Sequence, residues 1–496
     1  MGIDWPGAAL ECWSVAAFAP PGRLERGMTR AGDPIETDVA VIGSGIGGLT
    51  CAALLARSGL SVTVCESHIT PGGAAHGFER DGYCFESGPS FFTGLSVEGS
   101  ANPLAQLLAQ LDERVECVSY DSWNFHLPEG LFVTGTDEDR FHAELARFVS
   151  DRAMEEWLRF EDRMKKPPAP EDLNKPFAWL VDQEIRDPFL RRFCDLDAFS
   201  LSGMDAGGTP LAEMHFMFKE RFQASVDYPL GGSQAVVDAL VRALEKHGGR
   251  LLLGTHVDSV IVEQGRAAGL ALRRGGELRA RRAVVSNATV WDTQKLIPAG
   301  AVPEAYRRES EAAPQCESIL HLHLGIDAAG LSEELGIHHV VLESWDVTAP
   351  QNMCNICIPS TLDPSLAPSG RHVMHAYTAG NEPYEVWEGL HHKSDAYRDL
   401  KEERAQVLWR AMEKVIPDVR ERTELALVGT PLTQERFLRR HRGTYGAAYR
   451  ADEGRAFPGA ATPLPGLFCC GDSNMPGVGV PAVVVSGMMA AGAVGS

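Results

Sequence analysis

Residues 38–48 read Asp38-Val-Ala-Val-Ile-Gly43-Ser44-Gly45-Ile46-Gly47-Gly48, and residues 61–66 read Ser61-Val-Thr-Val-Cys-Glu66. The first stretch is a continuous apolar strand that runs into glycines. The glycines open a helix through about Ser58, Gly59 turns the chain, and a second apolar strand ends on Glu66. This is a β-α-β unit, and its glycine spacing has a physical reason. Gly43 permits the tight turn, Gly45 lets backbone approach a pyrophosphate, and Gly48 lets the helix pack closely on the strand. Amides at the helix start, aided by the helix dipole, hold phosphate oxygens. Glu66 stands about 20 residues on, where a carboxylate accepts hydrogen bonds from ribose hydroxyls. The segment therefore predicts dinucleotide binding.

Composition narrows the class. The chain has 496 residues, with 67 acidic and 46 basic side chains and a formal net charge of −21. Phosphate-backbone affinity comes mainly from Lys and Arg, so a nucleic-acid partner is not expected. With 44% hydrophobic and 23% charged residues the chain can bury a large core. Its length suggests two or three domains. Eleven cysteines are too sparse for a disulfide scaffold and fit a reducing compartment. Cys354 and Cys357 form C-x-x-C, but 352–359 reads as a strand, where positions three apart face opposite ways. Neither a zinc site nor a redox pair is expected there. Cys469 and Cys470 lie in an apolar run and read as core.

The N-terminal 1–36 reads as an arm. It mixes Arg23, Arg26 and Arg30 with Asp4, Glu11, Glu25 and Asp33, so it lacks the acid-poor bias of a clean transit peptide and is read as a flexible arm or the remnant of one. The uncharged tail 473–496 is long enough to span a bilayer. Its two prolines, five glycines and small residues favour a buried loop followed by a close-packed helix. Between the ends, 151–221 is charged, aromatic and helical in spacing, which predicts an inserted helical region. Strands are expected at 251–253, 257–263, 267–273 and 283–287, and again at 319–325, 340–343 and 372–378. A helix over 401–416 ends at Pro417.

The residues just after Glu66 bear on which dinucleotide is bound. Ser67-His-Ile-Thr-Pro-Gly72-Gly73 resembles the motif of flavoproteins in the glutathione-reductase and amine-oxidase superfamily, where a Glu and a later Gly-Gly pair frame FAD. The far end agrees with that resemblance, because Gly471-Asp472 follows a short strand and Gly477-Val-Gly479-Val480-Pro481 opens the last helix. By this resemblance Asp472 contacts ribityl or pyrophosphate oxygens, and the Gly479 and Val480 amides face the pyrimidine edge of the flavin. The fold implied is α/β, a Rossmann-like FAD-binding domain of glutathione-reductase/amine-oxidase type with a mixed-sheet substrate domain and a helical insertion. Its discontinuous FAD-binding domain comprises 37–100, 228–300 and 431–496, with a helical substrate region at 101–227 and a substrate-binding domain at 301–430.

A closer resemblance spans the chain from about Thr37 onward. Gly88-Pro89-Ser90-Phe-Phe-Thr-Gly94, Leu201-Ser-Gly-Met204, Tyr228-Pro-Leu-Gly-Gly232, Val285-Ser-Asn287-Ala288, Pro431-Leu-Thr-Gln-Glu-Arg-Phe437 and Arg442-Gly-Thr-Tyr445-Gly446 look like the phytoene desaturase and carotenoid isomerase family, in the family's order. The first and last of these resemble the isomerase branch more than bacterial desaturases. The chain ends at Ser496, a little short of the end usual in that family. The resemblance implies a non-covalent FAD, active in its reduced state, held by Gly43, Ser44, Gly45, Ile46, Gly47, Gly48, Glu66, Ser67, Gly72, Gly73, Ala74, Gly88, Pro89, Ser90, Val257, Asn287, Gly471, Asp472, Gly479 and Val480. It implies a lipophilic carotenoid substrate, peripheral membrane contact and a plastid or cyanobacterial-type location.

The reaction implied is cis-trans isomerisation of a poly-cis carotenoid without net redox change. Desaturation, hydration of an unsaturated bond and retinol-like saturation stay open on the same fold. A non-enzymatic prenyl or lipid escort is the alternative from another class. The acid–base candidates are Glu213, His215 and Tyr445, with Glu220, His321, His323 and Tyr377 as further polar residues. His321 and His323 share a strand face but show no third ligand in the sequence, so no metal is expected. Met214, Phe216, Met217 and Phe218 at helical spacing suit a lipophilic pocket or ordinary core. Phe189, Leu190 and Phe193 suit a membrane anchor or helix packing.

Overall fold

The computed structural model describes residues 35–495 apart from 224 and 333; residues 1–34 of the N-terminal arm lie outside them, while Ile35 and Glu36, expected in the arm, belong to the first strand. Its first sheet has seven strands, in the order Arg250–Leu252, Val62–Cys65, Ile35–Ile42, Glu277–Ser286, Arg266–Leu272 and Val257–Glu263, with Leu467–Cys469 also on Glu277–Ser286. Ile35–Ile42 pairs in parallel with Val62–Cys65 and with Glu277–Ser286. The ten-residue strand Glu277–Ser286 shares its other edge. Its first half pairs antiparallel with Arg266–Leu272, and its second half takes Leu467–Cys469 in parallel. The last part of the chain is thereby laid one strand away from the first.

The parallel strands are apolar on both faces because helices or further strands cover both. Val39, Val41, Val62 and Val64 pack on one side under the helices Ile46–Arg57, Ser233–Lys246 and Val480–Gly495. Ala40, Ile42 and Cys65 pack on the other with Val257, Val260 and Leu270. Helices Ile46–Arg57 and Val480–Gly495 touch closely: a Cβ on Gly487 would stand 2.4 Å from the Gly47 carbonyl oxygen. The uncharged tail is thus a packed helix, as its small residues predict. No described helix is long and apolar enough to cross a membrane.

A second seven-stranded sheet runs Thr423–Gly429, His321–Asp327, Arg371–Thr378, Met353–Cys357, His338–Leu342, Ser122–Leu127 and Gly130–Gly135. The hairpin Ser122–Leu127/Gly130–Gly135 comes from the part of the chain expected to be a helical substrate region. It joins the sheet by parallel pairing with His338–Leu342, a partner far away in sequence. Cys354 packs with Ile356 and Met374 while Cys357 packs with Tyr83 and Val373, so the C-x-x-C pair does face opposite ways.

The region 151–221 is helical as expected: Asp151–Lys165, Phe177–Glu184, Pro188–Ser202 and Leu211–Arg221. Its core is aromatic, built on Trp157, Phe160, Phe177, Phe193 and Phe218. Packing decides between anchor and core for these side chains. Phe189, Leu190 and Phe193 are buried in that core, which removes them as a membrane anchor, and Met214 and Phe218 are equally buried.

Candidate functional site

Four parallel strands end at one edge of the first sheet. Ile42 delivers Gly43, Cys65 delivers Glu66, Ser286 delivers Asn287, and Cys469 leads through Cys470 to Gly471. In open α/β sheets ligands bind at this carboxyl edge.

The turn after Ile42 depends on its glycines. Gly43 has φ +89, a conformation that L side chains rarely adopt. A Cβ on Gly48 would stand 2.4 Å from the Gly43 carbonyl oxygen, so the helix can meet the strand only without one. Asn287 is wedged into this turn. Its side-chain amide lies 2.7 Å from a Cβ built on Gly45, 2.8 Å from one on Gly47, 3.1 Å from one on Gly48 and 2.9 Å from one on Gly471. Its backbone N–H donates to the Ile42 carbonyl at 2.9 Å. The side chain thus braces the glycine turn against the C-terminal Gly471.

Glu66 is buried and holds the turn from the other side. One carboxylate oxygen accepts from the Ser44 amide (2.9 Å) and hydroxyl (2.7 Å), and the other from the His68 amide (2.7 Å) and the Ser67 hydroxyl (3.3 Å). Gly72 donates to the Ser44 carbonyl at 3.1 Å. A Cβ on Gly73 would stand 3.2 Å from the Gly45 Cα. The Gly-Gly pair is therefore the second wall of the same cradle. Ala74 accepts from the Ser87 hydroxyl at 3.0 Å, and its carbonyl oxygen would lie 2.2 Å from a Cβ on Gly88. Beyond Pro89, Ser90 is buried within hydrogen-bonding reach of Tyr377 and Cys357. Val257 is buried in the core, and just before it the Thr255 amide donates to the Glu66 carbonyl at 2.7 Å.

The helix Ile46–Arg57 starts at Gly45 with no side-chain cap and no acid in its first turn. Its leading amides are free to serve a ligand. Together with the glycine cradle and the buried carboxylate, this donor set fits a dinucleotide pyrophosphate and ribose.

At the far end Asp472 is not isolated. Arg440 donates to its carboxylate at 2.7 Å, and the same guanidinium donates to the Thr444 and Tyr445 carbonyls at 3.0 Å each. Arg440 thereby ties the Gly-Thr-Tyr-Gly segment to the carboxylate, a link the sequence does not announce. Gly446 packs on the next segment, since a Cβ there would stand 2.3 Å from Val478 Cγ1. Gly479 has φ +99 with open space at its Cα, just ahead of Val480, which starts the last helix.

Of the acid–base candidates, Glu213 reaches the backbone at Gly477, Tyr445 packs against other glycines and His215 is turned away. The Tyr445 ring sits against Gly203 and Gly380, 3.1 Å from a Cβ built on the first and 3.2 Å from one on the second, and burial pushes its phenol up to about 12. Glu213 places a carboxylate oxygen 3.4 Å from a Cβ built on Gly477. His215 lies two residues along the same helix and so faces the opposite way. Its Nδ1 donates to the Met164 carbonyl at 2.7 Å, an anchor between helices.

The structure also supplies a partner for the two strand histidines that sequence reading missed. His375 on Arg371–Thr378 lies opposite His323 in register and joins His321 and His323 in a buried cluster. The signal was the alternation that puts His375 and Tyr377 on one face, but the pairing of the strands is needed to see it. His321 and His375 share a 2.7 Å nitrogen–nitrogen hydrogen bond, and the His323 and His375 rings stack at 4.1 Å, 9° from parallel. In-plane lone pairs of stacked rings run in parallel planes and do not converge, and His323 Nε2 already meets the Glu86 carbonyl at 3.0 Å. Burial holds all three well below the usual imidazole range, so they stand as neutral rings at physiological pH.

Comparison with known proteins agrees with this geometry. The chain is 34% identical to prolycopene isomerase 1, chloroplastic, of an Oncidium hybrid cultivar, over 92% of this chain and 83% of that protein. It is 27% identical to the neurosporene-forming phytoene desaturase of Rhodobacter capsulatus, over 91% of this chain and 92% of that one. An oxidoreductase structure from Methanosarcina mazei shares the fold with a TM-score of 0.70 at 21% identity, over 92% of this chain and 99% of that one. Residues 46–495 match the family described as flavin containing amine oxidoreductase, and the chain belongs to that family.

Proposed function

We propose that the protein is an FAD-dependent enzyme of carotenoid biosynthesis that converts a poly-cis carotenoid to its trans form with no net redox change. The similarity to prolycopene isomerase, which runs through both ends of the cofactor cradle, carries this reading. It favours isomerisation over desaturation, for which the relative is less similar. Glu66 binds the adenosine ribose, and the amides at 45–48 bind the pyrophosphate. Asp472, neutralised in part by Arg440, takes the ribityl or pyrophosphate oxygens. The Gly479 and Val480 amides meet the pyrimidine edge. Reduced flavin, when bound, supplies electron density beside the polyene. The protein orients the substrate on that ring and keeps water away, with Gly446, next to Tyr445, packed against Val478.

The chain divides, on this reading, into the discontinuous FAD domain 37–100, 228–300 and 431–496 and a substrate region formed by 101–227 and 301–430. A carotenoid is a membrane lipid, so the enzyme works in peripheral contact with a plastid or cyanobacterial-type membrane. The net charge of −21 opposes anionic lipid, and docking therefore relies on apolar contact.

The test is anaerobic incubation of reduced holoprotein with a poly-cis carotene. All-trans product of unchanged mass is the expected result. Loss of two hydrogens assigns desaturation, gain of two hydrogens assigns saturation, and gain of one water assigns hydration. Failure to show flavin absorption near ~450 nm after FAD reconstitution would instead favour a lipid escort.

A further inference from the structure

We propose that Glu213 is the acid–base group of this reaction, giving a proton to the polyene beside the 477–480 segment and taking one back after the bond has rotated. The assignment rests on the isomerase reading. Glu213 occupies the first turn of the helix Leu211–Arg221, where an acid ordinarily folds back onto the leading amides. Here it makes no such cap, and its carboxyl reaches out to Gly477 instead. Gly477 has φ +137 and no Cβ, with the Phe457 ring 3.0 Å from where one would stand. Any side chain there would lie against the carboxyl and the Phe457 ring. The approach of Glu213 to the backbone before the last helix therefore depends on that glycine.

Glu213 has no hydrogen-bond or ion-pair partner among the described residues. The charged groups on neighbouring elements are committed elsewhere: Glu161 to His142 and Lys165, and Asp472 to Arg440. Only burial acts on its ionisation, and it pushes the carboxyl up to about 8. The group is therefore protonated at neutral pH, the state an acid needs before it acts. Glu86 is also pushed up, to about 7, but it is buried and accepts from the Ser233 amide at 2.6 Å. It serves the turn at Gly232.

The step balances without a co-reactant. The Glu213 O–H bond breaks, and the π pair of one C=C bond forms the new C–H bond. A cation delocalised along the polyene remains, which lowers the order of the neighbouring cis double bond. After rotation the carboxylate removes a proton from the same carbon and the C=C bond re-forms. No electrons are gained or lost overall.

The experiment compares reduced holoprotein with Glu213→Gln and Glu213→Asp. Glu213→Gln is expected to lose about 10²–10⁴-fold in isomerisation rate, with flavin content, flavin spectrum and thermal midpoint kept, and Glu213→Asp to recover part of the rate. The wild-type rate falls as pH rises through about 8, because the acid is lost there. The second readout does not need turnover. Infrared difference spectra between about pH 6 and about pH 10 show a protonated-carboxyl stretch that disappears in Glu213→Gln, leaving the Glu86 signal. A Glu213→Gln variant within a few-fold of wild-type rate, or spectra identical in the two proteins, overturns the assignment. If wild-type protein shows the infrared titration but leaves poly-cis carotene unchanged, the isomerase reading itself fails, and the role of Glu213 in it fails with it.

Discussion

Purified Gly45→Val protein is expected to be colourless. A Cβ on Gly45 would stand 2.7 Å from the Asn287 side-chain amide, and the two methyl groups of valine extend further, into the space over the free amides of the first helical turn. Asn287 cannot retreat freely, because Gly47, Gly48 and Gly471 already enclose it. Hydrogen bonds to charged groups contribute about 1.5–3 kcal/mol each. Loss of two such bonds to the pyrophosphate raises the FAD dissociation constant by about 100-fold or more. Gly59→Ala is the control. Gly59 has φ +92 with nothing within 4 Å of its missing Cβ, so the variant bears backbone strain of about 1–3 kcal/mol but keeps its flavin. Absorbance of the two purified proteins, followed by FAD titration, checks the pair of outcomes. Flavin retained by Gly45→Val would place the cofactor elsewhere than the cradle.

The elements that build this cradle are the ones most legible in the sequence, and there is a physical reason. Parallel strands covered on both faces must be continuous apolar runs, so 38–42 and 61–65 stand out from the polar loops around them. The glycines mark places where backbone meets backbone, as at Gly48 and the Gly43 carbonyl. The strand 257–263 and the helical region 151–221 are equally local patterns. The features that stayed hidden need pairing across long distances. The hairpin Ser122–Leu127/Gly130–Gly135 could not be assigned to the second sheet before its partner His338–Leu342 was known. The same holds for His375 beside His323, and for Arg440, whose role is visible only when Asp472 and the Tyr445 carbonyl converge on it. Local periodicity does separate Glu213 from His215, since residues two apart on a helix face away from each other. The sequence lacks only the neighbour on each face: Gly477 for one, the Met164 carbonyl for the other.

The position of Glu213 depends on a buried ion pair at the far end of its helix, and Arg221→Met is expected to show how strongly. Arg221 donates to Asp197 at 2.6 Å, with the two side chains 7% and 6% exposed. The guanidinium also lies over Phe141 and Phe218, 5.2 Å and 4.9 Å from the ring centres. This pair ties Leu211–Arg221 to Pro188–Ser202 inside an aromatic core. Removing the cation leaves a buried carboxylate alone, which costs about 3–5 kcal/mol, and the thermal midpoint falls by several degrees. Burial already raises the Asp197 carboxyl, even with Arg221 beside it. In the variant, the folded-state value rises further above the unfolded one, so the folded protein binds the extra proton. Its deficit relative to wild type is therefore greatest above the raised value and shrinks as pH falls through it, once Asp197 is neutral. The double variant Asp197→Leu/Arg221→Met removes both charges and should regain most of the lost stability. Thermal denaturation of the single and double variants across pH measures this. A single variant as stable as wild type at neutral pH would mean that the aromatic packing alone holds the helix, and through it the reach of Glu213 to Gly477.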